Sequence, residues 1–434
     1  MPPIPDHTVP RRRWGIGVLL GSGILVSFLD RINLSAAAPQ LQRELGIGPV
    51  EMGFLFSAFY WPYAALQIPL GLSVDRLGVT RIGRWGALLW TAASAVTSLA
   101  GGFAGIFAAR ALLGIAEAPS LPVVSKATGY WFPRRERARA TAMFDAAAKF
   151  SSVIGVPMVA FVVVRFGWRW GFVTTSAISF VYFVAFCLLY RDPSADRGLS
   201  RAEHEYILSG GAAAEGQPAA SAAGMLGFLL RQPKIWGLAI GFGAYGYSFY
   251  LFLNWLPEYL VSMSGMSVIR SAGYAAIPWA FATATDLLVG GWLVDALIAR
   301  GADESRVRKS VLVAGMLVGL AVVGATRTAN PAWATLWISV SLGGLAAAAP
   351  VGWSLPSLIA PKGGVGSVGG IMNFAVNSTG IAAPVVTGLI VKLTHSFTDA
   401  FLVAAAILLL GALAFVFLLG RVEVMADPPS GAAG

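Results

Sequence analysis

Asp30, Arg31, Arg110, Glu117, Lys126, Asp145, Lys149 and Asp286 are ionisable residues set inside long apolar runs of the chain. Each costs roughly 2.5–3.5 kcal/mol at the centre of a membrane-crossing helix, so they must face one another or a polar cavity, and such residues mark a path for an ion or a charged substrate. Arg110 and Glu117 are seven residues apart, two helical turns, which places them on one face about 10 Å apart along the axis. A buried guanidinium offers a planar fork to a carboxylate, and a buried carboxyl can gain and lose a proton within a working cycle. That wall suits an organic anion carried with protons, or else a fixed ion pair locking one helix to its neighbour. Asp30 and Arg31 are adjacent and point about 100° apart, so they cannot address the same point. Asp145 and Lys149 stand at i and i+4; they neutralise each other, or Lys149 faces the cavity and favours a more negatively charged anion. Asp286 has no obvious partner in the sequence, and a proton, a substrate hydroxyl and Lys149 are all open to it.

The elements that position these residues are membrane spans. The chain has 434 residues, of which 56% are hydrophobic and 12% charged, and its mean hydropathy is +0.70; this combination belongs in lipid rather than water. Apolar runs near 20 residues, the length needed to cross about 30 Å of hydrocarbon, predict twelve spans at 14–38, 51–74, 82–100, 103–125, 139–164, 170–190, 234–259, 271–296, 309–327, 331–354, 366–391 and 397–420. The net charge of +10 does not call for nucleic acid. Most Lys and Arg fall in loops on one side if both termini are cytoplasmic, which is the positive-inside pattern. Arg11–Arg13 before the first span and Ala36–Ala38 after it superficially resemble a cleavable signal peptide. That reading is rejected, because cleavage would discard Asp30 and Arg31 and leave an odd number of spans. Cys187 lies within a span and permits no intrachain disulfide. His7, His204 and His395 fall in termini or loops, so no metal cluster is expected, and no phosphate-cradling Gly-rich loop followed by Lys-Ser or Lys-Thr is present. Neither metalloproteolysis nor ATP hydrolysis has residues to use, and the chain reads as no enzyme.

Residues 191–233 form the one long polar stretch, with "SGGAAAEGQPAASAAG" inside it, and read as a linker between two halves. Ser200 and Glu203 have the spacing of a capping box, which predicts a short helix there. Across the linker "GLSVDRLGVTR" (Gly71–Arg81) is answered by "GWLVDALIARG" (Gly291–Gly301), so the halves correspond as six helices each. The predicted organisation is an N-terminal segment 1–13, a six-helix bundle 14–190, the linker 191–233, a second six-helix bundle 234–420 and a tail 421–434.

"GLSVDRLGVTR" resembles the second-loop signature of the major facilitator superfamily, and "RALLGIAEAP" (Arg110–Pro119) resembles its fourth-helix Arg-x-x-x-Gly element. "DRINLSAAAPQLQRELG" (Asp30–Gly46) and "GGIMNFAVNSTGIAAP" (Gly369–Pro384) look like the anion:cation symporter branch, with its galactonate, glucarate, hexuronate and phthalate permeases. The resemblance implies an all-α membrane protein of the major facilitator fold, with twelve transmembrane helices around a central cavity, working as a monomer in the bacterial inner membrane with both termini cytoplasmic. It implies import of a small organic anion, such as an aldonate or hexuronate, by proton symport with alternating access, protons being the coupling ion and no cofactor being needed. Carried over to this chain, Asp30 and Glu117 are the protonation sites. Arg31, Arg110, Tyr63, Asn373 and Asn377 are substrate contacts; from the residues themselves, Lys149, if it faces the cavity, and Asn254 of helix seven join them, and Asp75, Arg76 and Asp295 at the matching helix ends gate the conformational change. For Arg31 the other reading is charge compensation of Asp30, and for Tyr63 it is interface packing. Helix five departs from the sugar-acid members at Asp145 and Lys149, and Asp286 is a second departure; Lys126 is a further charge within a span. An aromatic carboxylate is the alternative substrate. Proton-coupled drug export is disfavoured, because such a cavity wants acidic walls and this one offers Arg31 and Arg110.

Overall fold

The computed structural model describes residues 10–213, 215 and 223–427. His7 and parts of the expected terminal and linker segments lie outside the described residues. Among the described residues every regular element is a helix. The first half comprises α1 (Arg12–Leu45), α2 (Pro49–Ala58) running into α3 (Tyr60–Leu77), α4 (Val79–Ser98), α5 (Phe103–Glu117) followed by α6 (Ser120–Trp131), α7 (Arg137–Phe166) and α8 (Trp168–Leu189). Short helices α9 (Arg201–Ser209) and α10 (Ala223–Leu229) lie between the halves. The second half holds α11 (Pro233–Ser264), then α12 (Val268–Thr285), which continues through a π-helical stretch (Asp286–Leu293) into α13 (Val294–Ala299). It is completed by α14 (Glu304–Gly319), α15 (Val322–Ala325), α16 (Pro331–Ile359), α17 (Val365–Thr394) and α18 (Thr398–Phe417).

Every one of the twelve predicted crossings falls on one of these helices or helix pairs. Nine stretches among the described residues are long and apolar enough to cross a membrane. The remaining crossings are α2 with α3, α4, and α11. Of these α11 is rich in Tyr and Gly, and it is buried continuously from Gly241 to Leu260, so its polar groups meet other helices and not lipid. In α1 the run from Asp30 to Pro39 is likewise wholly buried. The two helices meet at the middle of the molecule, where Ser35 Oγ donates to the Asn254 carbonyl at 2.6 Å. Outer helices instead expose Trp85, Val181, Trp292 and Phe417, the side chains that a hydrocarbon solvent accepts.

At the end of the bundle away from the linker, the halves are closed on each other. A methyl group on Gly53 of α2 would fall 2.6 Å from the Pro384 carbonyl of α17, so only glycine allows this approach. Gln42 Nε2 donates across the halves to Glu258 Oε1 at 2.9 Å, and the rings of Phe56 and Trp255 meet at 5.2 Å. At the linker end, α9 is fastened to α1. Ser200 Oγ accepts from the Glu203 backbone N–H at 3.2 Å, which is half of the expected capping box. The other half is different: the Glu203 carboxylate accepts from the backbone N–H groups of Arg12 (3.1 Å) and Arg13 (3.0 Å). It thereby satisfies donors that the first turn of α1 would otherwise leave orphaned, in a place where the helix dipole favours negative charge. The Arg13 guanidinium pairs with Glu203 at 3.1 Å and with Glu136 at 2.7 Å.

Candidate functional site

Two interrupted crossings build the site. The second crossing breaks at Phe59, between α2 and α3, and the fourth at Ala118–Pro119, between α5 and α6. Gly114 lets these two approach: a methyl group there would collide with the Phe59 carbonyl and stand 3.0 Å from Pro62 Cγ. The Arg-x-x-x-Gly spacing therefore brings Arg110 to 5.7 Å from the Phe59 ring centre, with Glu117 two turns further along the same helix.

Arg31 of α1 projects into this junction. Its guanidinium lies 4.5 Å from the Phe59 ring centre, 4.6 Å from Phe28 and 4.8 Å from Tyr63; such contacts contribute up to about 2 kcal/mol each when desolvated. Glu117 Oε2 accepts from Arg31 Nε at 3.0 Å and lies 2.9 Å from Nη2. The pair is buried, with Arg31 4% and Glu117 0% exposed. Glu117 Oε1 and Tyr63 Oη, both buried here, make no hydrogen bond.

Arg110 and Glu117, expected to share one wall, take different partners. Arg110 Nη1 donates to the Asp30 carbonyl at 2.9 Å and Nη2 to the Arg31 carbonyl at 3.5 Å, so in this conformation it braces the α1 backbone behind Arg31. Asp30 points elsewhere, as its angular offset from Arg31 requires. Its carboxylate accepts from Ser94 of α4 and Ser179 of α8, both at 2.6 Å.

The second half contributes a polar string. Tyr250 of α11 meets Tyr60 with ring centroids 4.5 Å apart and planes tilted by 60°, and donates to Asn377 Oδ1 at 3.2 Å. Asn377 Nδ2 donates to Asn373 Oδ1 at 3.0 Å, and Asn373 donates across the halves to Gln67 of α3. Asn254 is turned along its own helix and donates to the Tyr250 carbonyl at 2.7 Å. Lys149 lies between two carboxylates, 2.8 Å from Asp145 on its own helix and 2.5 Å from Asp286 on the opposite half. The local Asp145–Lys149 pair and the pairing of Asp286 with Lys149, one of the options open to Asp286, thus meet at one triad.

Among the residues expected to gate the conformational change, Asp75 pairs with Lys126 at 2.5 Å, which joins α3 to α6 inside the first half. Arg76 and Asp295 are exposed, and among the described residues neither forms an ion pair. Gln67 and Glu258 are absent from the sequence-derived site. Gln67 follows Tyr63 by four residues and so shares its face. Glu258 stands directly after Pro257 and reads as a helix end, although Pro257 lies inside α11.

Two helical half-bundles closing on central buried charges form the architecture of a secondary membrane carrier. Residues 20–375 match the family model of the Major Facilitator Superfamily. "Uncharacterized transporter YybO" of Bacillus subtilis is 38% identical over 420 residues, covering 96% of either chain. The "D-galactonate transporter" of Escherichia coli is 30% identical over 423 residues, covering 95% of this chain and 97% of that one. In three dimensions the chain is similar to the crystal structure of a bacterial homolog of the human lysosomal transporter Spinster, with a TM-score of 0.68 at 17% identity and coverage of 94% and 95%. The chain belongs to the major facilitator superfamily: it is a multi-pass membrane transporter and not an enzyme.

Proposed function

We propose that this transporter imports a small organic anion, a sugar acid such as an aldonate or hexuronate, together with protons. The observation that carries the reading is the buried Arg31–Glu117 pair inside its aromatic cage, with Glu117 Oε1 and Tyr63 Oη beside it free of hydrogen bonds. Arg31 accommodates one carboxylate at a time. When a proton binds Glu117, the pair loosens and Arg31 is free to take the carboxylate of the anion, so anion and proton load together. Leaving reverses the exchange: Glu117 gives up its proton and reclaims Arg31 as the anion departs. Tyr63, Gln67, Asn373 and Asn377 supply hydroxyl and amide groups suited to a polyhydroxylated chain. Arg110 holds the α1 backbone so that Arg31 keeps its aim. Asp30, tied to two serines, is a second protonation site, and Lys149 and Asn254 border the substrate path from the far walls.

The two halves rock about this centre, and the Asp75–Lys126 contact, with Arg76 and Asp295, acts where the linker end opens. In the bacterial inner membrane, with both termini cytoplasmic, the end away from the linker faces the periplasm. Each net positive charge moved inward contributes about 2.3 kcal/mol per 100 mV, close to forty-fold in concentration at 1.4 kcal/mol per decade. The relatedness to a D-galactonate transporter supports the substrate class. The test is uptake by proteoliposomes of radiolabelled D-galactonate, D-glucuronate and benzoate, with and without an inward proton gradient. Accumulation of a sugar acid only under the gradient, lost in Arg31→Ala, is the expected result. Gradient-driven accumulation of benzoate alone would overturn the sugar-acid assignment, and accumulation unaffected by Arg31→Ala would overturn the site.

A further inference from the structure

Lys149 is held by two carboxylates that belong to different halves of the protein. Asp145 is four residues back on α7, at 2.8 Å, and Asp286 begins the π-helical stretch after α12, at 2.5 Å. Lys149 and Asp286 are 1% and 0% exposed. The Asp145 carboxylate lies close enough to repel that of Asp286, so Lys149 is the counter-charge that holds Asp286 in place. Around it, α16 presents only uncharged groups to the π-helical stretch, namely the Ala347 carbonyl and Pro350 against Gly290. On α11 the remaining titratable side chain within electrostatic reach is Tyr245.

The geometry points to Asp286 as a proton site of the second half, loaded when the Lys149–Asp286 bridge breaks as α7 and α12 part. The charge inventory requires it. When the halves separate, Lys149 keeps Asp145 and stays neutralised, whereas Asp286 would be left as a buried carboxylate with no counter-charge, which is strongly unfavourable. One proton taken from the water that reaches the opened cleft neutralises Asp286. As the bridge re-forms, Asp286 releases that proton and regains Lys149. Separation of this interface is thereby linked to protonation, independently of Glu117. A π-helical stretch is an uncommon irregularity that concentrates at functional positions, and here it starts at the bridging residue.

The proposal rests on the rocking reading above but not on the identity of the anion, so its test uses no substrate. In a Cys187→Ser background, spin labels at Arg165→Cys (end of α7) and Arg270→Cys (start of α12), both exposed, report the α7–α12 distance by pulsed electron resonance at pH 8 and pH 5. In the otherwise unaltered protein the longer distance gains population at pH 5. Asp286→Asn is expected to raise the ratio of long to short populations about ten-fold at pH 8, equivalent to about 1.4 kcal/mol, and to flatten the change between the two pH values. Asp145→Asn retains the cross-half bridge and makes Asp286 the sole partner of Lys149, so its long population at pH 5 falls below that of the parent. If Asp286→Asn keeps the parent ratio and pH response, or if Asp145→Asn behaves as Asp286→Asn is expected to, the assignment is wrong. Should Asp286→Asn fail to fold, the Asp145→Asn comparison decides it alone.

Discussion

Replacing Glu117 by Gln changes one charge at nearly constant shape and should separate anion binding from proton binding. In the parent protein Arg31 is engaged by Glu117 Oε2 at 2.9 and 3.0 Å, and three aromatic rings within 4.8 Å shield it from water. Removing one partner of a buried pair costs about 3–5 kcal/mol, mostly as the penalty of an uncompensated charge. In Glu117→Gln that penalty falls on the empty site and is relieved when an anion binds. In the parent, an anion binds only as Glu117 takes up a proton, so over the range where Glu117 titrates the Kd rises by up to ten-fold per pH unit, or about 1.4 kcal/mol. Between pH 6 and pH 8 this amounts to at most about 100-fold, or about 2.7 kcal/mol, which lies below the penalty released. Calorimetric titration of the purified protein with D-galactonate should therefore give a Kd for Glu117→Gln that is flat with pH and about 10- to 100-fold tighter than the parent at pH 8. If the variant keeps the parent's pH slope, or binds more weakly at every pH, the exchange of Arg31 between two carboxylates is refuted.

Arg31→Lys retains the charge but loses the fork and the stacking on Phe28, Phe59 and Tyr63; D-galactonate binding should weaken at least about ten-fold, and an unchanged Kd would show that the cage plays no part. Gly114→Ala places a methyl group against the Phe59 carbonyl and Pro62, an overpacking worth about 1–3 kcal/mol. Its Tm in detergent should fall, and a parent-like Tm would contradict the close approach of the two interrupted crossings. Gln42→Ala strips the buried Glu258 of its cross-half hydrogen bond, a loss of about 1–3 kcal/mol, so the long-distance population of the Arg165–Arg270 spin-label pair should grow. An unaltered distance distribution would mean that this contact does not keep that end closed.

Much of the fold was legible because lipid imposes simple rules. Twelve apolar runs, the Gly71 and Gly291 repeat and the polar stretch 191–233 led to two helical halves. Within the site, adjacency separated Asp30 from Arg31 correctly, since a 100° stagger is a property of any helix. The partner of Glu117 was not legible. Seven-residue spacing suggested a wall shared with Arg110, but which guanidinium meets the carboxylate depends on where α1 places Arg31 beside α5, and no local spacing encodes that. The triad was half visible: Asp145 and Lys149 are local, whereas Asp286 lies over a hundred residues away and joins only through packing of the halves. Gln67 and Glu258 were hidden for the same reason, because their partners Asn373 and Gln42 come from the opposite half. The capping pair at Ser200 and Glu203 shows the converse, a local motif redirected when the start of α1 offered unpaired N–H groups.

Proton movement driven by the anion itself tests the central claim most directly. Proteoliposomes containing a trapped pH-sensitive dye, clamped at zero membrane potential and with equal pH on both sides, receive D-galactonate outside. The account predicts acidification of the lumen in the parent protein, absent in Arg31→Ala and in Glu117→Gln, with Glu117→Gln still exchanging labelled for unlabelled D-galactonate. Entry of D-galactonate without any acidification, or equal acidification in Glu117→Gln, would contradict it.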